Sequence, residues 1–206
     1  MIRVESERFV SSQDEHLLCM RLSVAMERGS GCVSLRSRLD GNVSNSGVVH
    51  LHLHSTEARG DGTAEVCTVT RESGIGIAMV CSEAAFAAEI GGEAGGDLSH
   101  AQGIPVEAVP RADEYAAGHD FEARLEEGES MEMHKFVAVH TMRDAAWRGH
   151  QEPPGMDQLR LAAQATASEA ASAGFARCRA GHADGWRRQW ERCISCFGGR
   201  TATRWL

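Results

Sequence analysis

Three histidines alternate along one short apolar segment, and their spacing could assemble a metal site. His50, His52 and His54 are separated by single leucines. On a β-strand, residues i, i+2 and i+4 point to one face, so three imidazoles could converge on a zinc or nickel ion. Alternate Cα atoms lie ~6.6 Å apart along a strand, which strains a tetrahedral site that uses all three. The alternative is an exposed polar face, with the intervening apolar residues toward the core.

Cys193 and Cys196 have the C-x-x-C spacing that redox and zinc sites use. No second pair accompanies them in the sequence and no βαβ pattern surrounds them, so accidental spacing is the alternative. The chain contains seven cysteines at irregular intervals. An odd, irregular set favours unpaired thiols in a reducing cytoplasm over a framework of disulfides.

Five glutamates in one acidic stretch could in principle supply an acid–base pair. A catalytic acid needs burial to raise its pKa, and this stretch offers little apolar cover, so we predict a solvated loop or face. The glycine-rich residues 91–103 lack the G-x-x-x-x-G-K-[ST] pattern of a phosphate-binding loop. We assign no catalytic, cofactor-binding or metal-binding residue to this chain and expect no cofactor. The five glutamates are Glu122, Glu126, Glu127, Glu129 and Glu132.

Composition favours a globular chain rather than a disordered one. The 206 residues are 42% hydrophobic and 24% charged, which suffices for a core. The formal charge is −8 with scattered basic residues, so nucleic acid is a poor candidate partner. No apolar run approaches the ~20 residues that span a bilayer, and the N-terminus lacks the apolar region of a secretory signal. We therefore expect a cytoplasmic protein with no membrane partner.

The candidate residues described above are predicted to lie on short strands in the N-terminal part of the chain and on helices in the C-terminal part. Alternating apolar and polar residues, divided by turn signals such as Gly29–Gly31 and Asp40-Gly41, predict an antiparallel sandwich. We expect a long loop over residues 87–103 and find residues 112–132 acidic and poorly periodic. The predicted strands cover residues 17–24, 32–38, 48–54, 66–70, 75–81 and 133–140.

Two helices follow Pro153-Pro154-Gly155. Residues 156–172 are alanine-rich, and Gly174 favours the end of that helix. Residues 175–192 form the second predicted helix, because Phe175 begins a stripe at helical spacing that needs a partner surface. The other members of that stripe are Cys178, His182, Trp186 and Trp190.

Four segments, taken in order, resemble one carbohydrate-active family. Arg8 to Arg21 reads as R-x-V-S-x-x-D-x-H-L-x-x-x-R, and Val33 to Gly47 reads as V-x-x-x-S-x-L-D-G-x-V-x-N-x-G. Met133 to Val137, continuing to Thr141, Arg143 and Asp144, resembles a later strand, and Ala171 to Trp190 resembles a pair of linker helices. Together they resemble the N-terminal β-sandwich region of glycoside hydrolase family 65. The match covers about nine tenths of the chain.

This resemblance implies a mainly β fold, a partial antiparallel β-super-sandwich followed by two linker helices, without the catalytic (α/α)6 barrel. It divides the chain into a sandwich over residues 1–150, a helical linker over 151–192 and an atypical tail over 193–206. The tail is basic and has no periodicity. Our hypothesis is that a frameshift near residue 193 produced it. The family's "NG-x-x-G-x-RG" segment, which comes before these motifs, has no counterpart here.

The resemblance also implies a parent function, which is inverting phosphorolysis or hydrolysis of α-linked disaccharides such as maltose, trehalose and kojibiose. In the phosphorylases a glutamate protonates the leaving oxygen while inorganic phosphate attacks the anomeric carbon. That glutamate lies in the family's barrel, so we expect this chain to be inactive alone. The alternatives are a stand-alone carbohydrate-binding module and a structural module that docks on a separately encoded barrel. A homodimer is a further possibility.

Overall fold

A computed structural model describes residues 1–45, 47–89, 103–148, 150 and 152–196, with side chains given up to residue 185 except at Asn45. Twelve strands precede two helices in this part of the chain. The strands are β1 Ile2–Val10, β2 Leu17–Met26, β3 Gly31–Asp40, β4 Ser44–Asn45, β5 Val48–Val49, β6 Leu51–Ala58, β7 Thr63–Thr70, β8 Gly76–Glu89, β9 Ile104–Val106, β10 Val109–Ala112, β11 Ala116–Leu125 and β12 Glu129–Thr141. A 3₁₀ turn at Ala145–Trp147 leads to α1 Met156–Ala173 and α2 Phe175–Cys196.

A large antiparallel sheet forms the middle layer. Its strand order is β1-β2-β12-β8-β7-β6, and β9 adds to one end of β8. β12 lies between β2 and β8, and it pairs with β8 along its whole length from Glu129 to Thr141. The last strand in the sequence therefore lies inside the sheet and joins β1-β2 to β8-β7-β6.

A smaller sheet with the order β10-β11-β3 packs on one face of the large sheet. Two apolar clusters fill the space between the sheets. One centres on Phe121, Leu125 and Met131, and the other on Leu39, Val66 and Val137. Inward and outward residues alternate along β3 of the small sheet, as a strand between a core and solvent requires.

The two helices cover the opposite face of the large sheet. α1 places Leu159, Ala163 and Ala167 against Ala78, Val80 and Ala138. Since alanine side chains are short, α1 approaches the sheet closely along this row. Gly174 has φ +82°, a conformation that favours glycine, and its N–H bonds the Ala170 carbonyl at 3.0 Å as the chain turns into α2. The helix N-terminal to Gly174 thus ends where the sequence predicts.

The predicted fold class is confirmed. The described residues form antiparallel sheets followed by two helices, and no (α/α)6 barrel occurs among them. No helix in the described part of the chain is long and apolar enough to cross a membrane. The division of the chain at residues 150 and 192 stays a prediction.

The sequence interpretation missed one central strand. Residues 112–132 contain all of β11 and the start of β12, although we found them poorly periodic. The predicted strand at 48–54 is two strands, β5 and β6, with His50 between them. Residues 87–89 of the loop expected at 87–103 belong to β8, which continues to Glu89; residues 90–102 lie outside the described residues.

Candidate functional site

The three alternating histidines lie on the surface at one edge of the large sheet. His50, His52 and His54 are all exposed, while the residues between them are half-buried. The register of β6 on β7 shifts between Leu53 and Ser55, which leaves His54 without a Cα partner. The bulge interrupts the regular alternation on which the three-imidazole site depends. The structure thus places these residues as the exposed polar face that we weighed against a metal site.

Two other sequence hypotheses fall partly or wholly outside the described residues. The Cys193 and Cys196 side chains lie outside them, and so does most of the glycine-rich stretch.

The acidic stretch is described, and four of its five glutamates are exposed or half-buried at the β11–β12 hairpin. Glu132 differs, because it is 9% exposed within β12. The prediction of a solvated face was wrong for Glu132.

Glu132 belongs to a polar group on the helix-facing side of the large sheet. Its Oε1 lies 2.6 Å from His134 Nε2, and its Oε2 lies 4.0 Å from an Arg21 guanidinium nitrogen. His134 stacks on the Phe175 ring at 5.6 Å, and Arg21 lies over the same ring at 5.7 Å. The group joins β2 and β12 to the start of α2. Its imidazole and guanidinium remain partly exposed beside that helix.

A second polar group is sealed between the two sheets. Glu83 on β8 accepts hydrogen bonds at one oxygen from Ser37 Oγ (2.5 Å) and contacts Lys135 Nζ at 2.8 Å. Its other oxygen lies 2.7 Å from His119 Nδ1, and His119 Nε2 lies 2.8 Å from the Arg59 carbonyl. The Glu83 and His119 side chains are 0% exposed. The group links β3, β8, β11 and β12 to the β6–β7 turn.

The partners of His119 decide its charge. Both ring nitrogens face acceptors, a carboxylate and a carbonyl, so both must donate and the ring is an imidazolium. Burial lowers the pKa of His119, but the Glu83 and Arg59 hydrogen bonds outweigh it and raise the pKa overall. Burial alone would raise the pKa of Glu83, yet the His119 hydrogen bond and the Lys135 charge hold it at about 2.

The sealed group is a structural ion cluster rather than a reaction site. A substrate cannot reach side chains that have no exposed surface, and the Glu83 carboxylate has a cation or hydroxyl on each oxygen. The acid–base residues of a glycosidase must lie beside the sugar, with one carboxyl kept protonated. Glu83, held ionised, lacks that property.

Stability should respond to pH in opposite ways at the two ends of this cluster. The lowered pKa of Glu83 means that its contribution is complete above pH 4.5 and is lost as the pH falls toward 2. The raised pKa of His119 means that its contribution is complete below pH 6.5 and is lost as the pH rises through the folded-state pKa. We expect the stability advantage of the parent over His119→Gln to shrink as the pH rises above 6.5.

Urea unfolding of both proteins from pH 5.5 to 9 measures this difference. It should fall by up to about 1.4 kcal/mol per pH unit between the unfolded and folded pKa values. His140 has a lowered pKa, because of burial and the neighbouring His16, and so acts in the opposite direction. Both proteins contain His140, so its effect cancels. A difference that stays constant or grows with pH would contradict the imidazolium assignment.

A third polar group contains the residues best placed to ligate a metal. His16, His140 and Asp144 bring one ligand atom each to within 4.8 Å of one another. The Nδ1 atoms of His16 and His140 lie 3.6 Å and 3.3 Å from Asp144 Oδ2, and the two rings stack at 4.0 Å. The group lies where the β1–β2 loop meets the end of β12.

The hydrogen bonds of this group favour a structural role over metal binding. His16 Nδ1 lies 3.0 Å from the Val139 carbonyl, so this nitrogen carries a proton and cannot donate a lone pair. Asp144 already accepts from the Thr141 N–H at 2.9 Å and from its hydroxyl at 2.5 Å. The His140 Nε2 atom contacts Thr166 on α1 at 3.2 Å. These contacts fasten the helix and the loop to the end of β12.

Sequence reasoning assigned no site residue and missed all three polar groups. Ser37, Lys135, His16 and Asp144 carry the family resemblance, but their types alone did not show that they meet. One signal was present: a lysine and a histidine occupy inward positions on strands whose other inward residues are apolar. Such residues must find charged or hydrogen-bonding partners when they are buried.

Comparison with known families gives a match over almost the whole described chain. The model of the glycosyl hydrolase family 65 N-terminal domain matches residues 1–189. An uncharacterized glycosyl hydrolase of Mycobacterium tuberculosis is 27% identical over 95% of this chain and 14% of its own length. A kojibiose phosphorylase of Halothermothrix orenii is 26% identical over 94% of this chain and 23% of its own length.

The fold is also similar to that of a solved structure named "Putative kojibiose phosphorylase from human microbiome". The TM-score is 0.65 at 14% sequence identity, with 88% of this chain and 20% of that chain covered. At this identity the likeness concerns the fold alone. The chain thus spans between about one seventh and one quarter of the length of these similar proteins.

Proposed function

Because this chain belongs to the N-terminal domain family of glycosyl hydrolase family 65, we propose that it is the β-sandwich portion of an enzyme that acts on α-linked disaccharides. The observation that carries the proposal is the single continuous family match, which runs from β1 through the sandwich and α1 and into α2 as far as residue 189. The name of the Halothermothrix orenii relative adds the substrate class, because kojibiose is an α-linked disaccharide.

The proposed reaction is phosphorolysis or hydrolysis with inversion, in which inorganic phosphate or water attacks the anomeric carbon. The chemistry takes place on a catalytic domain, and this chain contributes scaffold rather than reacting groups. Two features support that division. The sealed Glu83 cluster is closed to a substrate, and the His16–His140–Asp144 group is occupied by hydrogen bonds within the fold. The disaccharide and phosphate are therefore partners of the whole enzyme.

The proposed mode of action is docking on the catalytic domain, with a homodimer as a further arrangement. The sandwich holds α1 and α2 on one face of its large sheet, and in the family-type arrangement these helices lead toward the catalytic domain. A cytoplasmic location fits the unpaired thiols of the described cysteines. Those cysteines are Cys19, Cys32, Cys67, Cys81 and Cys178.

We expect the purified chain to release no glucose 1-phosphate from maltose, trehalose or kojibiose in the presence of inorganic phosphate. The physical reason is that the buried carboxylate with a distinctive environment, Glu83, is closed to a substrate and held ionised, and cannot protonate a leaving oxygen. A coupled glucose 1-phosphate assay, with an intact family member as positive control, measures this. Turnover above the blank by the chain alone would contradict the proposal that the reacting groups lie on a separate catalytic domain.

Docking is tested by adding the chain to a catalytic part. The partner is the Halothermothrix orenii kojibiose phosphorylase without the segment that corresponds to residues 1–189. We expect the two to co-purify and phosphorolysis to increase over that of the truncated enzyme alone. Separate elution at micromolar concentration, without a gain in activity, would count against docking. Saturable binding of a disaccharide to the chain by itself would favour a carbohydrate-binding module instead.

A further inference from the structure

Two cysteine side chains meet where α2 rests on the large sheet. Cys19 lies on β2 with 0% exposure, and Cys178 lies in the first turn of α2 and is partly exposed. Both pack with Phe136, Ala170 and Phe175 in one apolar cluster. Cys178 Sγ lies 3.7 Å from the Ala170 carbonyl within this cluster, and the two thiols are near enough to shift each other's pKa. The sulfur atoms are therefore neighbours that belong to different layers of the fold.

The two thiols differ in chemistry. The hydrogen bond with Cys178 and then burial raise the pKa of Cys19, so it stays protonated. The interaction with Cys19 lowers the pKa of Cys178, against the effect of burial and with help from the Arg177 charge. A partly exposed cysteine with a lowered pKa beside a fully buried cysteine is the arrangement of an attacking and a resolving cysteine.

The remaining described cysteines lack this combination. Cys67 and Cys81 are fully buried, and burial raises the pKa of each, in the case of Cys81 to about 12. Cys32 is exposed on β3, where its Cα pairs with that of Arg124 rather than with that of another cysteine.

We propose that Cys19 and Cys178 are a redox pair, which a hydroperoxide converts to a disulfide that locks α2 onto the sandwich. The proposal does not rest on the disaccharide chemistry. It concerns the junction of a helix and a sheet, whatever the catalytic domain does.

The reaction has two balanced steps. The Cys178 thiolate attacks one oxygen of hydrogen peroxide; an S–O bond forms, the O–O bond breaks, and the released hydroxide takes a proton to become water. The Cys19 sulfur, losing its proton, then attacks the Cys178 sulfenic acid; an S–S bond forms, the S–O bond breaks, and a second water leaves. Two thiols are oxidised by two electrons in total, and one peroxide is reduced to two waters.

The disulfide would matter because three described contacts of α2 beyond Cys178 lead to β1 and the β1–β2 loop rather than to β2. Ser12 Oγ donates a hydrogen bond to the His182 carbonyl at 2.8 Å, and Arg179 Nε lies 3.5 Å from Glu7 Oε1. Phe9 stacks on His182 at 4.8 Å. All of these join α2 to β1 and the β1–β2 loop. A covalent bond from Cys178 to β2 fixes the same helix to the neighbouring strand.

Peptide mapping of the oxidised chain tests the proposal. The protein is treated with hydrogen peroxide at pH 7.5, remaining thiols are alkylated, and trypsin cuts without reduction. We expect residues 9–21, which contain Cys19, to be linked to residues 178–179, with the mass of two hydrogens lost. Dithiothreitol should separate the peptides. The oxidised protein should unfold about 5–10 °C higher than the reduced protein.

Three variants sharpen the result. Cys32→Ser is the matched control and should leave the cross-link unchanged. Cys19→Ser should stop the reaction at a Cys178 sulfenic acid that dimedone captures, and Cys178→Ser should leave Cys19 unoxidised at the same peroxide dose. The parent map stays decisive even if Cys19→Ser fails to fold. Recovery of alkylated Cys19 from protein in which Cys178 is fully oxidised, or a link from Cys178 to another cysteine, would overturn the proposal.

Discussion

Glu83→Gln is expected to be among the most destabilising conservative substitutions in this chain, at about 3–5 kcal/mol. The change removes the charge that balances Lys135 and His119 while keeping the size of the side chain. Both cations then stay buried between the sheets, where an uncompensated charge is costly. For a chain of this size the loss corresponds to a melting temperature roughly 6–20 °C lower. Thermal and urea unfolding measure it.

Two companion variants separate charge balance from a general effect of mutation. Glu83→Gln combined with Lys135→Met removes one charge of each sign, so the double variant should be more stable than Glu83→Gln alone. Glu126→Gln breaks the exposed ion pair with Arg124 and should unfold like the parent. If the double variant loses as much as the two single losses added together, the coupling that defines the cluster is absent.

Gly62→Ala is the second substitution with a large expected effect, about 2–5 kcal/mol. Gly62 has φ +85°, which costs an alanine roughly 1–2 kcal/mol. A Cβ there would also meet the Glu83 carbonyl oxygen, a backbone atom that cannot move aside. The added crowding costs about 1–3 kcal/mol. The turn would have to lift from β8, which breaks the 2.8 Å bond from Glu83 N–H to the Gly62 carbonyl.

Gly74→Ala is the matched control for the backbone conformation. Gly74 has φ +63°, but nothing lies within 4 Å of the position that its Cβ would take. Its loss should therefore reflect conformation alone and remain near 1–2 kcal/mol. Urea unfolding of both variants against the parent gives the comparison. Equal losses at the two glycines would show that the close approach of the turn to β8 contributes nothing.

The strands with simple alternation were predictable, and β11 shows why one was not. Its inward residues are Ala117, His119, Phe121 and Leu125, which are all fully buried. An alternating pattern was thus present. His119 and the surrounding carboxylates made the alternation hard to recognise. A charged residue at an inward position is taken as solvent-facing unless its partner is known. That partner, Glu83, lies 36 residues earlier in the chain.

The same reason limits how far the polar groups could be predicted. The sealed cluster needs Ser37, Glu83, His119 and Lys135 from four strands, and their meeting depends on the order of strands in two sheets. A sequence shows periodicity along one strand but not which strands are neighbours. The helices were easier, because the signals at Pro153, Gly155 and Gly174 are local. The side chains of Trp186 and Trp190 lie outside the described residues, so the partner surface of that stripe stays a prediction.

The late position of β12 has a consequence for synthesis on the ribosome. β2 is complete at Met26, but the strand that pairs with its inner edge ends at Thr141. At translation rates of about 5–20 residues per second, β2 waits on the order of ten seconds for that partner. During this time β2 can pair only with β1, and its apolar side chains, such as Cys19 on the helix-facing side and Val24 on the side of the small sheet, lack their later partners. The nascent chain should therefore bind a holding chaperone until β12 emerges, and codons that slow translation before residue 141 should lower the yield of folded protein.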